Sequence, residues 1–352
     1  MSARSTPQER LEQMVEPLLF WFSQSHRDLP WRREPSPYHV WVSEVMLQQT
    51  RVEAVRPYYE RFLSALPTVQ ALAGCPQEQL LKLWEGLGYY SRVRNLARCA
   101  RILLAEYGGR FPASAEELRG LPGIGEYTAG AIASISFGLP EPAVDGNVLR
   151  VAARLTGYTG EVAQPRFRKE ITERLRAVYP AGRCGDFTQS LMELGAVVCL
   201  PNGAPKCSLC PLAELCEGRL AGTAAEIPVR APKKPRRVEL RSVFLLCCGE
   251  RVALRKRPPE GLLAGLWEFP SLAGAFEPSR QAELGIPPET PVRRVLSARH
   301  VFTHLEWEMQ GYLVELPQPP AGYQWVTREE LEERISLPSA FRAFRRFLLT
   351  GK

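Results

Sequence analysis

Leu121-Pro122-Gly123-Ile124-Gly125-Glu126-Tyr127-Thr128-Ala129 lies between two segments of helical patterning. Two glycines flanking one apolar residue allow a tight hairpin whose amide N–H groups point outward. The following helix adds its own unpaired N–H groups and the positive end of its dipole. Such a hairpin, centred in residues 115–136, can hold a phosphate without a lysine, and Gly123 and Gly125 are its candidate binding residues. A bare Gly-x-Gly would read first as a plain helix–helix turn. Leu-Pro before it, Tyr after it and a cysteine cluster downstream make this one more specific.

Around the hairpin, apolar residues recur three and four apart near 38–49, 51–64, 92–107, 127–137, 146–156, 166–178 and 186–198. Short Gly/Pro punctuation separates these segments, and few stretches alternate as strands do, so residues 1–227 are expected to form an all-α domain. Pro228–Arg237 carries three prolines and five basic residues and is expected to be an extended linker. Beyond it the pattern changes. Val238–Cys247, Gly249-Glu250 and Arg251–Lys256 read as strand, turn and strand, followed by Val292–Leu296, Val301–Val314 and a closing helix near Ser339–Leu349. Residues 238–352 are therefore expected to form an α+β domain.

The 352 residues are 45% hydrophobic and 24% charged, a core-forming composition that excludes disorder and coiled coil as the main state. No apolar run approaches membrane-spanning length and no leader-like segment opens the chain, which gives the expectation of a cytosolic protein with no membrane partner. The net charge is +7, of which residues 231–241 supply +4. That mild excess permits nucleic-acid binding without demonstrating it.

Nine cysteines in a cytosolic chain are expected to be thiols or metal ligands. Cys75, Cys99, Cys184, Cys247 and Cys248 are scattered or strand-like and fit small buried residues. Cys199, Cys207, Cys210 and Cys216 instead form C-x7-C-x2-C-x5-C. Four thiolates so spaced suit a zinc ion or a [4Fe–4S] cluster. A single C-x2-C favours the cluster over zinc, which more often uses two such knuckles.

Two carboxylates stand out. Glu44 is the one acid in Tyr38-His39-Val40-Trp41-Val42-Ser43-Glu44-Val45-Met46-Leu47-Gln48-Gln49-Thr50, where periodicity allows either an exposed or a desolvated acid. Desolvation would raise its pKa into the range useful to a general acid. Asp145, in Val144-Asp145-Gly146-Asn147-Val148, precedes a helix and reads first as an N-cap, a role compatible with chemistry.

Taken together, the hairpin, Asp145 and the four-cysteine loop resemble the helix-hairpin-helix DNA glycosylase superfamily of the endonuclease III type. Val42–Thr50, Gly86-Leu87-Gly88-Tyr89-Tyr90-Ser91-Arg92 and Arg27-Asp28-Leu29-Pro30-Trp31-Arg32 narrow the resemblance to the adenine DNA glycosylase (MutY) family. Motifs in five segments occur in the family's order, across essentially the whole chain. The resemblance implies a base-excision repair enzyme that hydrolyses the N-glycosidic bond of adenine mispaired with 8-oxoguanine or guanine in double-stranded DNA. It also implies a [4Fe–4S] cluster on Cys199, Cys207, Cys210 and Cys216, and the chain is expected to act as a monomer. Glu44 would protonate the departing adenine and Asp145 would stabilise the oxocarbenium-like sugar, a two-carboxylate logic shared with glycoside hydrolysis. Tyr127 stands where bifunctional relatives keep a Schiff-base lysine, so a monofunctional enzyme is expected. Asn147 would orient the site, and Arg27, Leu29, Trp31 and Gln189 would line the adenine pocket. Gln49, Thr50, Leu87 and Tyr89 would hold the opposite 8-oxoguanine, joined by Phe302-Thr303-His304, a loop in which Thr303 replaces the family's usual serine.

Residues 238–352 resemble a Nudix fold through Gly261–Pro270. The segment Ser271–Gly285 offers only Glu277 and Glu283, short of the glutamate array that holds magnesium in Nudix hydrolases, which implies a reader of the damaged base. The first cysteine gap is seven residues where the family commonly has six. Rival expectations are a bifunctional pyrimidine glycosylase/lyase, a non-catalytic damage binder and a nucleotide-pool hydrolase.

Overall fold

The computed structural model describes residues 5–229 and 235–351, so residues 230–234 of the expected linker lie outside it. Among the described residues no helix is long and apolar enough to cross a membrane. By internal contacts the described residues divide into two units, one within residues 5–74 and 94–229, the other within residues 75–93 and 235–351. In this division residues 75–93 group with the C-terminal chain. The physical reason is polar. Glu85 accepts from Lys82 at 2.8 Å, from the Leu337 amide at 3.0 Å and from Arg345 at 2.8 Å, while Ser336 donates to the Leu81 carbonyl at 3.0 Å.

The first unit is helical. The helix Pro37–Leu47 starts on Ser36, whose hydroxyl accepts from the His39 amide, with Pro37 preset for the first turn. Eight of its residues are buried, on all sides, which makes it a central helix rather than an amphipathic cover. The helix Ala115–Gly120 runs into the hairpin, and Glu126–Ala131 leaves it, continuing as a π-helical turn over Ile132–Ser136. Gly123 has φ +79°, a conformation cheap only for glycine, and a Cβ there would lie 2.7 Å from the Asn95 Cβ. Gly125 is different. It is the extended N-cap of Glu126–Ala131, with open space at its missing side chain.

The helix Gly146–Thr156 begins on Asp145, as its N-cap reading requires, and ends on a left-handed Gly157. It packs against Cys184–Val197, and a Cβ on Gly195 would sit 2.6 Å from the Asn147 Cβ. Both helices contribute to a core of Leu11, Leu18, Val148, Val151, Phe187 and Leu194.

In the second unit β1 (Arg237–Cys248), β2 (Arg251–Lys256), β3 (Trp267–Glu268), β4 (Ser271–Ala273), β5 (Arg293–Val301), β6 (Leu305–Glu315) and β7 (Gln324–Thr327) form one mixed sheet. Its order is β3-β2-β1-β6-β5, with β4 also on β1 and β7 also on β2. β1 and β6 run parallel from Arg237↔Leu305 to Cys247↔Glu315. The single run expected over Val301–Val314 is broken: the chain leaves β5 at Val301, turns through Phe302-Thr303-His304 and returns as β6. Arg342–Thr350 closes the unit, burying Phe344 and Leu348. Cys75, Cys99 and Cys184 are buried, as expected. Cys247 and Cys248 are only half-buried, because they end β1 at its turn.

The two hairpin glycines should respond differently to a side chain. Gly123→Ala is expected to lower unfolding free energy by about 1–3 kcal/mol through left-handed strain and the Asn95 clash. Gly125→Ala should cost under about 1 kcal/mol, since alanine is only a poorer N-cap than glycine. Urea titration of both variants measures the contrast.

Candidate active site

In the helical unit, a cavity of about 490 Å³ is walled by Glu44, Tyr127, Asp145, Asn147, Arg27, Leu29, Trp31 and Gln189, together with Gln49 and Thr50. Four elements bring them together: the segment Arg27–Arg32, the Pro37–Leu47 helix, the first turn after the hairpin, and the facing ends of Gly146–Thr156 and Cys184–Val197.

Glu44 is 6% exposed, so the desolvated reading is the observed one. Tyr127 donates a short hydrogen bond to its Oε2. Burial raises the Glu44 carboxyl, the Tyr127 hydroxyl opposes this, the Asp145 charge raises it further and Arg32 draws it down, leaving it at about 7. Asp145 is more exposed and better satisfied. Its Oδ1 accepts from the Val148 amide at 2.8 Å and its Oδ2 from Asn147 Nδ2 at 2.6 Å. Burial raises Asp145 as well, while those hydrogen bonds hold it down. Asn147 is fixed in turn, accepting from Arg150 at 2.9 Å, and Arg150 also donates to the Gly195 and Cys199 carbonyls.

The same cavity wall includes a group that sequence reasoning passed over. Glu193, 1% exposed, accepts from Arg27 Nε and NH2 and from Arg32 NH2, each at 2.8 Å, and from the Arg27 amide at 3.0 Å. Burial alone would raise its carboxyl, but the hydrogen bonds from Arg27 and Arg32 outweigh this and hold it at about 2. Glu193 lies four residues after Gln189, on the same helix face, and that spacing was the only available signal.

Gln49, at φ +57°, follows the Pro37–Leu47 helix and is exposed, while Thr50 is half-buried. In the second unit Leu87 is buried and Tyr89 is exposed at φ +46°. Arg92 donates to the Leu87 and Gly88 carbonyls at 2.9 and 3.2 Å and lies over the Trp84 and Tyr89 rings, fixing this loop. The Tyr89 and Thr303 hydroxyls are 2.9 Å apart. Phe302 packs edge-on against Trp307 and His300, and His304 is exposed.

Cys199, Cys207, Cys210 and Cys216 line one small cavity with Arg154, which donates to Cys199 Sγ at 3.2 Å. Among the described residues no three His, Cys, Asp or Glu side chains are grouped so as to hold a single metal ion. In the Nudix-like segment, Glu268 is buried and bonded to Arg255 and Arg257, and Glu283 is bonded to Arg280.

Residues 42–177 match the HhH-GPD superfamily of base excision DNA repair proteins, and residues 242–346 match the NUDIX domain. The chain is 36% identical to adenine DNA glycosylase of Homo sapiens over 93% of its own length and 72% of that protein's. The chain belongs to the adenine DNA glycosylase family. Another member, from Buchnera aphidicola subsp. Baizongia pistaciae, is 36% identical over 72% of each chain. A thermostable thymine-DNA glycosylase of known structure superposes with a TM-score of 0.56 at 29% identity, covering 60% of this chain and 98% of that one. In this family member the helical match precedes the Nudix match along the chain, as the order of helical and α+β patterning implies.

The Glu44 shift makes a stability statement. A carboxyl raised from 4.5 to about 7 binds its proton more tightly folded than unfolded, so its contribution falls as pH rises through that window. Glu44→Gln, which keeps an acceptor for Tyr127, should therefore be more stable than wild type at about pH 8, by roughly 1–3 kcal/mol, and gain nothing at about pH 4. Thermal melts at the two pH values check this.

Proposed function

We propose that this chain excises adenine from duplex DNA where it stands opposite 8-oxoguanine or guanine, by hydrolysis and without cutting the strand. The observation that carries the reading is the pair of unlike carboxylates in one cavity: a desolvated Glu44 near 7 and a well-bonded Asp145. Two acids held apart in basicity divide into proton donor and anion. Protonated Glu44 delivers its proton to a ring nitrogen of the departing adenine, so the C1′–N9 bond breaks with the electron pair leaving on a neutral base. Asp145 faces the positive sugar that remains. A water attacks C1′ and surrenders its proton to a carboxylate, restoring the site. The cavity walls include no lysine, and Tyr127 is committed to Glu44, which supports hydrolysis over imine chemistry.

Base flipping costs a few kcal/mol and less at a mispair. Gln49 and Tyr89 both hold left-handed backbones, strained for residues with side chains, and such strain collects at functional positions. The paired hydroxyls of Tyr89 and Thr303 support a shared hydrogen-bonding station for the opposite base, with Leu87, Phe302 and His304 in the same unit. Gly123, Gly125 and the amides beyond them would hold a backbone phosphate.

The four cysteines suit a [4Fe–4S] cluster. They line one cavity with Arg154, and their single C-x2-C spacing supports the cluster over zinc. Cys199, Cys207, Cys210 and Cys216 would each hold one iron, with Arg154 donating to Cys199 Sγ. Such a cluster would order the loop from Cys199 to Cys216.

A duplex with one adenine opposite 8-oxoguanine tests the reaction. Breakage only after hot alkali is expected, with Glu44→Gln slower by about a hundredfold or more. Breakage without alkali would refute the hydrolytic mechanism. The purified protein should also contain iron and acid-labile sulfide in equal amounts, both lost in Cys207→Ser. Stoichiometric zinc instead would refute the cluster.

A further inference from the structure

Glu193 lies in the wall of the base cavity, but its oxygens have no capacity left for a substrate. Oε1 accepts from the Arg27 amide and Nε, and Oε2 from Arg27 NH2 and Arg32 NH2. Arg32 is fixed a second time by donating to the Arg27 carbonyl at 3.0 Å, and its guanidinium lies over the Phe22 ring. Two guanidinium groups thus share one carboxylate whose side chain has no exposure at all, while Arg27 keeps about a third of its side chain open.

We propose that Glu193 is a positioning residue, a single buried carboxylate that aims Arg27 and Arg32 at the flipped base and balances their charge beside Glu44. The proposal rests on Glu44 as the proton donor. The groups facing Glu44 are few. Tyr127 comes from the helix after the hairpin, Asp145 with Asn147 from the start of Gly146–Thr156, and Arg32 from the Pro30–Arg33 turn. Gln189 and Met192 come from Cys184–Val197, and Ile135 from the π-helical turn. Arg32 is thus the cation that favours ionised Glu44, and Asp145 the anion that disfavours it. Without Glu193, the positive charge of Arg27 and Arg32 would stand uncompensated on that wall, and Glu44 would give up its proton at lower pH. Direct contact with the base is not needed for this effect, which distinguishes positioning from catalysis.

The test is the single-turnover excision rate of the full chain, measured from about pH 5 to about pH 9 with adenine opposite 8-oxoguanine. In Glu193→Gln the alkaline midpoint should fall by about half to one unit, a roughly three- to tenfold greater loss of rate on the alkaline side than on the acid side. Arg32→Gln should move the midpoint upward, and the charge-balanced double variant should return it toward wild type. Glu193→Asp, which keeps the charge on a shorter arm, should keep the midpoint while losing rate. A purely structural role would reduce the active fraction and leave the midpoint in place, so superimposable scaled profiles for Glu193→Gln and wild type would overturn the proposal. If Glu193→Gln does not fold, Arg32→Gln decides, and an unmoved or lowered midpoint there overturns it equally. Full activity in Glu44→Gln would instead refute the reading of Glu44, a separate outcome from either.

Discussion

Glu44 is an acid inside a helix that is buried on every side, and the geometry of the helical unit follows from keeping its proton in place. Tyr38, Val40, Trp41, Val42, Val45 and Met46 remove water from the helix, so the carboxyl is more stable neutral than charged. Neutrality alone would make it inert. Tyr127 supplies a polar contact that orients it, and Asp145 supplies a neighbouring charge that favours its protonated form. The hairpin matters for the same reason, because its left-handed Gly123 turns the chain toward Gly125, the N-cap of the helix whose first turn delivers Tyr127 to Glu44.

Asp145, whose carboxyl burial also raises, is set apart from Glu44 by the hydrogen bonds that oppose that rise. A helix N-terminus offers unpaired amides and a positive dipole end, and both favour an anion. The Val148 amide and Asn147 take up its two oxygens, Arg150 fixes Asn147, and Gly195 removes the side chain that would have pushed the two helices apart. One cavity therefore contains two carboxyls of similar intrinsic strength, both raised by burial, of which Asp145 accepts the more hydrogen bonds. In the same cavity the balance runs the other way at Glu193, which is as buried as Glu44, yet two arginines keep it ionised.

The second unit shows how distant segments come to share a face. β5 and β6 place Phe302-Thr303-His304 at their turn, and residues 75–93 join this unit through Glu85 and Ser336. The Tyr89 loop is thereby assigned to the unit that contains Thr303, though more than two hundred residues separate them in sequence. Arg92 and Trp84 brace the loop, so the unusual backbone of Tyr89 is maintained by its surroundings rather than by its own preference.

Much of this was legible in the chain itself. Helical periodicity placed Gly146–Thr156 at its observed ends, the Gly249-Glu250 turn separated β1 from β2, and Asp145 was recognisable as an N-cap. Local signals sufficed there because capping, turns and periodicity are set by neighbours along the chain. The choice between an exposed and a buried Glu44 was not local, since the helix is apolar all round and only packing decides which side sees water. Glu193 escaped for a similar reason: a lone acid on a helix acquires meaning only when Arg27 and Arg32, some 160 residues away, are folded onto it. The sequence by itself determined the elements, the chemistry-bearing residue types and their family. Tertiary structure alone decided which carboxyl keeps its proton, because desolvation and charge compensation are properties of the space around a group.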